Sequence, residues 1–198
     1  MKLKSCLRSF IFLIPLFLVF SKAMAGPSFV QSKSIDIGFY LGLTFNNDGT
    51  KMYTAESDKK VDPIVEYILT TPYDISTATV NNTKIVFIDG RPADTQATQV
   101  VFNNDGTKMF IVNHAGNKSV DEYLLSTAFD VSTATFDSEI SIAGQEVRAN
   151  SIAFNNDGTR MFIAGAGGNR TTHRIHEYSL STGFDLSSTV THLNTEDL

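Results

Sequence analysis

Phe102-Asn103-Asn104-Asp105-Gly106-Thr107-Lys108-Met109-Phe110 is the stretch that decides the fold of this chain. Its first six residues recur unchanged at Phe45–Thr50 and Phe154–Thr159, so the sequence repeats about every 55 residues. Self-similarity at such a period means a tandem array, in which each unit buries its apolar faces against its neighbours. Asn-Asp-Gly is a strong hairpin turn, because glycine accepts a positive φ and Asn or Asp tolerates one. An apolar strand precedes the turn at Leu41–Phe45, Val100–Phe102 and Ile152–Phe154. A second follows it at Lys51–Ala55, Lys108–Val112 and Arg160–Ala164.

After a variable loop comes a third strand carrying a Glu-Tyr pair, at Ile64–Leu69, Val120–Leu125 and Ile175–Leu180. Its alternation is that of a half-buried strand. A Ser/Thr-rich connector with an aromatic-Asp pair follows (Tyr73-Asp74, Phe129-Asp130, Phe184-Asp185), a composition suited to local side-chain turns. A fourth strand is expected at Lys84–Ile88 and Glu139–Ile142. Four short antiparallel strands per unit predict an all-β chain, a β-propeller of three four-stranded antiparallel blades with repeats at about 38–89, 90–143 and 144–198. A β-solenoid is the alternative, although its repeats are usually shorter and lack two hairpin turns per unit.

Three blades do not close a ring, since propellers have roughly four to eight. The sequence ends after the third connector with no convincing outer strand, whereas Ser32–Ile37 aligns with the fourth strands. The expectation is therefore one blade divided between the two ends and an incomplete ring. Either a homodimer completes six blades, each N-terminal strand finishing the other chain's third blade, or the sequence is truncated from a longer propeller.

Residues 1–25 read as a signal peptide: Lys2, Lys4 and Arg8, the apolar run Phe10–Phe20, and the small-residue site Ala23-Met24-Ala25. That run is too short to cross a bilayer as a helix, so residues 26–198 are expected as an exported domain, periplasmic or extracellular, without membrane insertion. Cys6 is the only cysteine, so disulfides, cysteine-ligated zinc and cysteine nucleophiles are excluded from the mature domain. Signal removal takes four cations and no acids, lowering the formal charge of −5 by four, to −9. With that balance and no basic run, nucleic acid is excluded as a partner and anionic membranes are disfavoured.

At Phe-Asn-Asn-Asp-Gly-Thr-Lys-Met-Phe and at Glu-Tyr-x-Leu-Ser-Thr-x-Phe-Asp-Val-Ser-Thr the chain resembles exported bacterial β-propeller repeat proteins. These are similar in style to TolB-like, YVTN and lactonase-like propellers. The resemblance covers roughly Lys33–Thr191 and implies the fold. It leaves function open, because such propellers include binding scaffolds, lactone hydrolases and assembly factors.

In a propeller the first-to-second and third-to-fourth strand turns lie on one face, and these are the near-identical segments here. The other loops, Glu56–Pro63, Asn113–Ser119, Gly165–Arg174, Asp89–Gln99 and Ala143–Ser151, differ between copies. That divergence marks their face as a recognition surface; simple drift of surface loops is the plainer account. Candidate ligand-binding residues there are Asp58, Asp94, His114, Glu146, Arg148, Arg170 and His173. Such His and carboxylate groups suit a divalent metal or acid–base work, but no ligand spacing fixes them, and solvated loop charges is the simpler reading. His173 and His176 point to opposite faces if extended, which disfavours a shared metal.

Calcium is conceivable at the three Asp-Gly turns, but each offers one Asp and two Asn, which suits a hairpin better. Glu66, Glu122 and Glu177 repeat like a carboxylate ring, and their strand position favours edge charges or cross-strand hydrogen bonds. No Gly-x-Ser-x-Gly, phosphate loop or dinucleotide fingerprint occurs. The expected function is a module without catalytic residues or cofactor that binds a protein, peptide or glycan. The alternatives are a lactonase-like hydrolase with a metal in the central channel, or a structural fragment with no ligand.

Overall fold

A computed structural model of the protein describes residues 30, 32, 40–56, 63–85, 96–116, 118–167 and 172–198. Among these the first blade comprises β1 (Tyr40–Phe45), β2 (Lys51–Glu56), β3 (Pro63–Leu69) and β4 (Ala78–Ile85). The second comprises β5 (Ala97–Phe102), β6 (Lys108–Asn113), β7 (Ser119–Leu125) and β8 (Ala134–Ser141). The third comprises β9 (Ala149–Phe154), β10 (Arg160–Gly165), β11 (Arg174–Leu180) and β12 (Val190–Asp197). Each is an antiparallel sheet of consecutive strands, the arrangement of propeller blades.

The hairpin and the connector repeat together because they touch. Gly106 sits at φ 73, a Cβ there would run into the ring of Phe129, and the Phe129 N–H donates to Gly106 O at 2.9 Å. Phe129 itself holds φ 58, a left-handed conformation that costs a non-glycine residue about 1–2 kcal/mol. Tyr73 and Phe184 sit on Gly49 and Gly158 with the same dihedral sign. The Asp of each hairpin closes its own turn: Asp105 Oδ1 accepts from Thr107 N at 3.0 Å and from the Thr107 hydroxyl. The connector Asp does likewise, Asp130 Oδ1 accepting from Ser132 N and Oγ to start a short 3-10 turn at Val131–Thr133.

Two expectations are corrected. The fourth strands begin directly after the connector, at Ala78 and Ala134, rather than at Lys84 and Glu139. The third blade does own an outer strand, β12, paired with β11 from Arg174↔Asp197 to Leu180↔Val190. No divided blade is therefore needed. Outer strands face water on both sides, as the exposed pattern of β8 shows, so they carry no apolar alternation to read. The proposed N-terminal strand after Ser32 and the signal peptide lie outside the described residues.

Apolar residues alternate between two inter-blade cores. Tyr53, Ala55 and Ile64 of the first blade pack with Val100, Met109, Ile111, Tyr123 and Val131 of the second. Phe110, Val112 and Val120 pack in the same way with Ile152, Met161, Ile163, Tyr178 and Leu186 of the third. Adjacent strand residues point to opposite faces, so in each Glu-Tyr pair Tyr faces the preceding blade and Glu the following one.

That places Glu66 and Glu122 between blades, fully buried, which corrects the expectation of edge charges, while the alternative, cross-strand hydrogen bonds, is met by Asn81 and Ser138 on the adjoining outer strands. Glu66 Oε2 accepts from Val131 N at 3.0 Å, and its Oε1 lies 3.0 Å from Lys51 Nζ and accepts from Asn81 Nδ2 at 2.7 Å. Lys51 Nζ also donates to Phe129 O at 2.8 Å. Lys108, Glu122, Leu186 N and Phe184 O repeat the arrangement one blade on, at 2.6 to 2.7 Å. Each lysine–glutamate pair thus clamps the next blade's connector through its backbone, leaving neither charge unpaired.

Candidate functional site

The variable loops of the second and third blades come together at one end of the sheets. His114 N donates to Gln96 O (3.0 Å), Ile142 N to Lys118 O (2.8 Å), and Ala166 N to Arg148 O (3.2 Å), so these loops brace one another. Between them lies a cleft of about 290 Å³ lined by His114, Arg148, Asn150, Ala166 and His173. His114 belongs to the β6–β7 loop, Arg148 and Asn150 to the start of the third blade, and Ala166 and His173 to the β10–β11 loop. Three of the seven sequence candidates thus line one cleft. Asp58, Asp94 and Arg170 lie outside the described residues.

Glu146 differs from its expectation as a solvated loop charge: it is 1% exposed. Its Oε1 accepts from Arg148 N at 2.7 Å and from Gly167 N at 3.1 Å, pinning the β8–β9 loop to the β10–β11 loop. Gly165 makes the room, since a Cβ there would collide with the Glu146 carboxyl. Glu146 is therefore a positioning residue that fixes the backbone on which Arg148 stands.

Behind Glu146 runs a polar chain that sequence reasoning missed. His176 Nε2 lies 3.5 Å from Glu146 Oε2, and His176 Nδ1 lies 2.9 Å from Thr195 Oγ1, which is 3.0 Å from His192 Nε2. His176 is 1% exposed, and burial lowers its pKa more than Glu146 raises it, with His192 and Arg174 lowering it further. The Tyr178 hydroxyl is pushed up to about 12, by burial first and then by Glu146. His173 and His176 do separate, one exposed at the cleft and the other buried. A signal existed in the strand register: Val65, Asp121 and His176 share one position of the third strand, where the copies change from apolar to acid to imidazole beside the unchanged Glu-Tyr pair.

Chemically, the cleft offers one permanent cation and two imidazoles on a chain of net negative charge. Arg presents five donors in a planar fork that matches a carboxylate or phosphate. Among the described residues no three His, Cys, Asp or Glu gather as a metal site would require. No described helix is long and apolar enough to cross a membrane.

No family model matches the chain, and no curated protein does. Its fold is similar to that of the periplasmic gluconolactonase of Pseudomonas aeruginosa, at a TM-score of 0.56 and 14% identity over 79% of this chain and 39% of that one. A protein from Lactobacillus plantarum is similar at a TM-score of 0.54 and 15% identity, covering 77% of this chain and 40% of its own. The chain spans about two fifths of the length of these solved structures. At such identities the likeness is one of fold, the β-propeller.

Proposed function

We propose that this chain is an exported propeller module that binds the anionic group of a glycan or peptide in the cleft between its second and third blades. What supports this is the convergence of His114, Arg148 and His173, from loops that diverge between repeats, on one cleft. Its volume suits a single acidic sugar ring or a carboxylate-bearing side chain, at the small end of ligand pockets. Arg148 supplies bidentate pairing, and the imidazoles of His114 and His173 add polar groups to the lining. Calorimetric titration with glucuronate, gluconate and inorganic phosphate, with glucose as the neutral control, tests the reading. One of the anions binds, and Arg148→Ala weakens it at least about tenfold, as loss of a charge-assisted hydrogen bond implies. Equal binding of glucose, or no effect of Arg148→Ala, overturns it.

A second reading is a lactonase-like hydrolase, favoured by the fold likeness to a periplasmic gluconolactonase. It requires the chain to open gluconolactone faster than buffer does, with or without added divalent metal.

A further inference from the structure

Glu146, His176 and Thr195 stand in a row that blade packing does not require. Val65, Asp121 and His176 hold one place on the third strands, opposite Thr83, Glu139 and Thr195 on the outer strands. Valine and aspartate fill that place in the first two blades, both buried, so no imidazole is needed to build it. In the third blade the imidazole meets a carboxylate on one side and a hydroxyl on the other. His176 Nε2 lies 3.5 Å from Glu146 Oε2, and His176 Nδ1 lies 2.9 Å from Thr195 Oγ1. The carboxylate and imidazole side chains are 0% and 2% exposed, whereas Thr195 is open to solvent.

The proton positions follow from which atoms can donate. Glu146 Oε1 accepts the Arg148 and Gly167 N–H groups, and Oε2 faces the imidazole. A carboxylate only accepts, so it selects the tautomer of His176 with the proton on Nε2. Nδ1 is then a bare lone pair, to which the Thr195 hydroxyl donates. His192 Nε2, 3.0 Å from the same oxygen, donates in turn to that oxygen and holds the hydroxyl in this direction. Burial keeps the His176 pKa below its ordinary value despite Glu146, so the neutral base is the form present at neutral pH. Carboxylate, imidazole and hydroxyl in this order, buried at one end and exposed at the other, is the arrangement that activates a hydroxyl nucleophile. Its longest contact is of the kind that tightens when substrate binds.

A donor for the developing oxyanion stands beside it. Strand β12 is the outer strand of its blade, as β4 and β8 are of theirs, so one of its edges has no neighbouring strand among the described residues. The Leu198 N–H turns inward, to His173 O at 2.8 Å, and N–H groups alternate along a strand, so the Thr195 N–H points off the open edge.

We propose that Thr195 is the nucleophile of an esterase site, acting on carboxylic esters with a small acyl group. The acyl group is small because the threonine methyl crowds the attacking oxygen. Thr195 Oγ1 bonds to the acyl carbon as its proton passes to His176 Nδ1. The ester C–O bond then breaks, and the departing alkoxide takes that proton. Water attacks the acyl-threonine by the same route, giving its proton to Nδ1, which returns it to Thr195. Glu146 and His192 are positioning residues. The site uses none of His114, Arg148 and His173, so it stands or falls apart from anion binding in the cleft.

The full chain with p-nitrophenyl acetate tests this. Release of p-nitrophenolate faster than in buffer is expected, with peptide mapping placing the acetyl group on Thr195. Thr195→Ser keeps the activity, and Thr195→Val, which suits an exposed strand position, abolishes it. Glu146→Gln keeps an oxygen for the Arg148 and Gly167 N–H groups but turns an amide N–H toward His176, reversing its tautomer. Acylation then slows at least about a hundredfold with circular dichroism unchanged, a loss that a purely structural role for Glu146 does not produce. Release no faster than in buffer, release unchanged in Thr195→Val, or an acetyl group found only on other residues overturns the proposal.

Discussion

Among the described residues, His176 is a buried imidazole whose pKa is held below its ordinary value. The unfolded imidazole titrates near about 6.5, and burial holds the folded one lower. Between those two values the unfolded chain binds a proton that the folded chain refuses. Stability is therefore full above about pH 6.5, falls as pH drops through that window, and levels off once the folded imidazole also protonates. Thermal unfolding from pH 8 to 5 should show this loss, and His176→Gln should remove most of the slope. The hairpin carboxylates Asp48, Asp105 and Asp157 belong to another window. Hydrogen bonds from the following threonine, its hydroxyl first, lower their pKa, so their contribution is present at neutral pH and lost only below the ordinary carboxylate range. A wild-type profile that is flat between pH 8 and 5 would refute the assignment to His176.

At the scale of the strand, repetition supplies an internal control for buried ion pairs. Glu122 and Glu177 hold the same register position on β7 and β11, yet one is fully buried between blades and the other a third exposed. Glu122→Gln leaves Lys108 clamped to an uncharged amide and turns a donor toward Leu186 N. Breaking a buried pair in this way costs about 3–5 kcal/mol. Glu177→Gln in dilute protein costs at most about 1 kcal/mol, as for an exposed pair. Urea unfolding of both variants measures the difference, and equal costs would show that the clamp carries no stability.

This contrast also marks what was legible in the sequence. Strands β1 to β3 and their repeats could be read because turn glycines and apolar alternation are local. The burial of Glu66 and Glu122 could not, because a charged residue on a strand looks like a surface residue until the next blade covers it. Only the co-repetition of Lys51, Lys108 and Arg160 with those glutamates hinted at it. Strand β12 was missed because its sequence, Val-Thr-His-Leu-Asn-Thr-Glu-Asp, is held by backbone pairing and has no apolar face. The cleft was legible only as a set of loops. Divergence between copies named His114, Arg148 and His173, but which loops meet is decided by blade packing, and the same packing turned Glu146 from a surface charge into a buried pin.

Over the whole molecule, stability in a tandem array is the sum of each unit and its contacts with neighbours, so it varies along the chain. The second blade is covered on both faces: Met109, Phe110, Ile111 and Val112 of β6 are all fully buried. In the third blade burial alternates along β10, Met161 and Ile163 being buried and Phe162 and Ala164 only half-buried. Local opening costs least where few apolar contacts are lost, so native-state hydrogen exchange should rank these elements. Amides of β6 should exchange last, at the free energy of global unfolding. Those of β10 should exchange earlier, and those of β12, largely exposed, first. Uniform protection across the three blades at low concentration would instead mean that the array opens as one cooperative unit, with the inter-blade cores coupling it end to end.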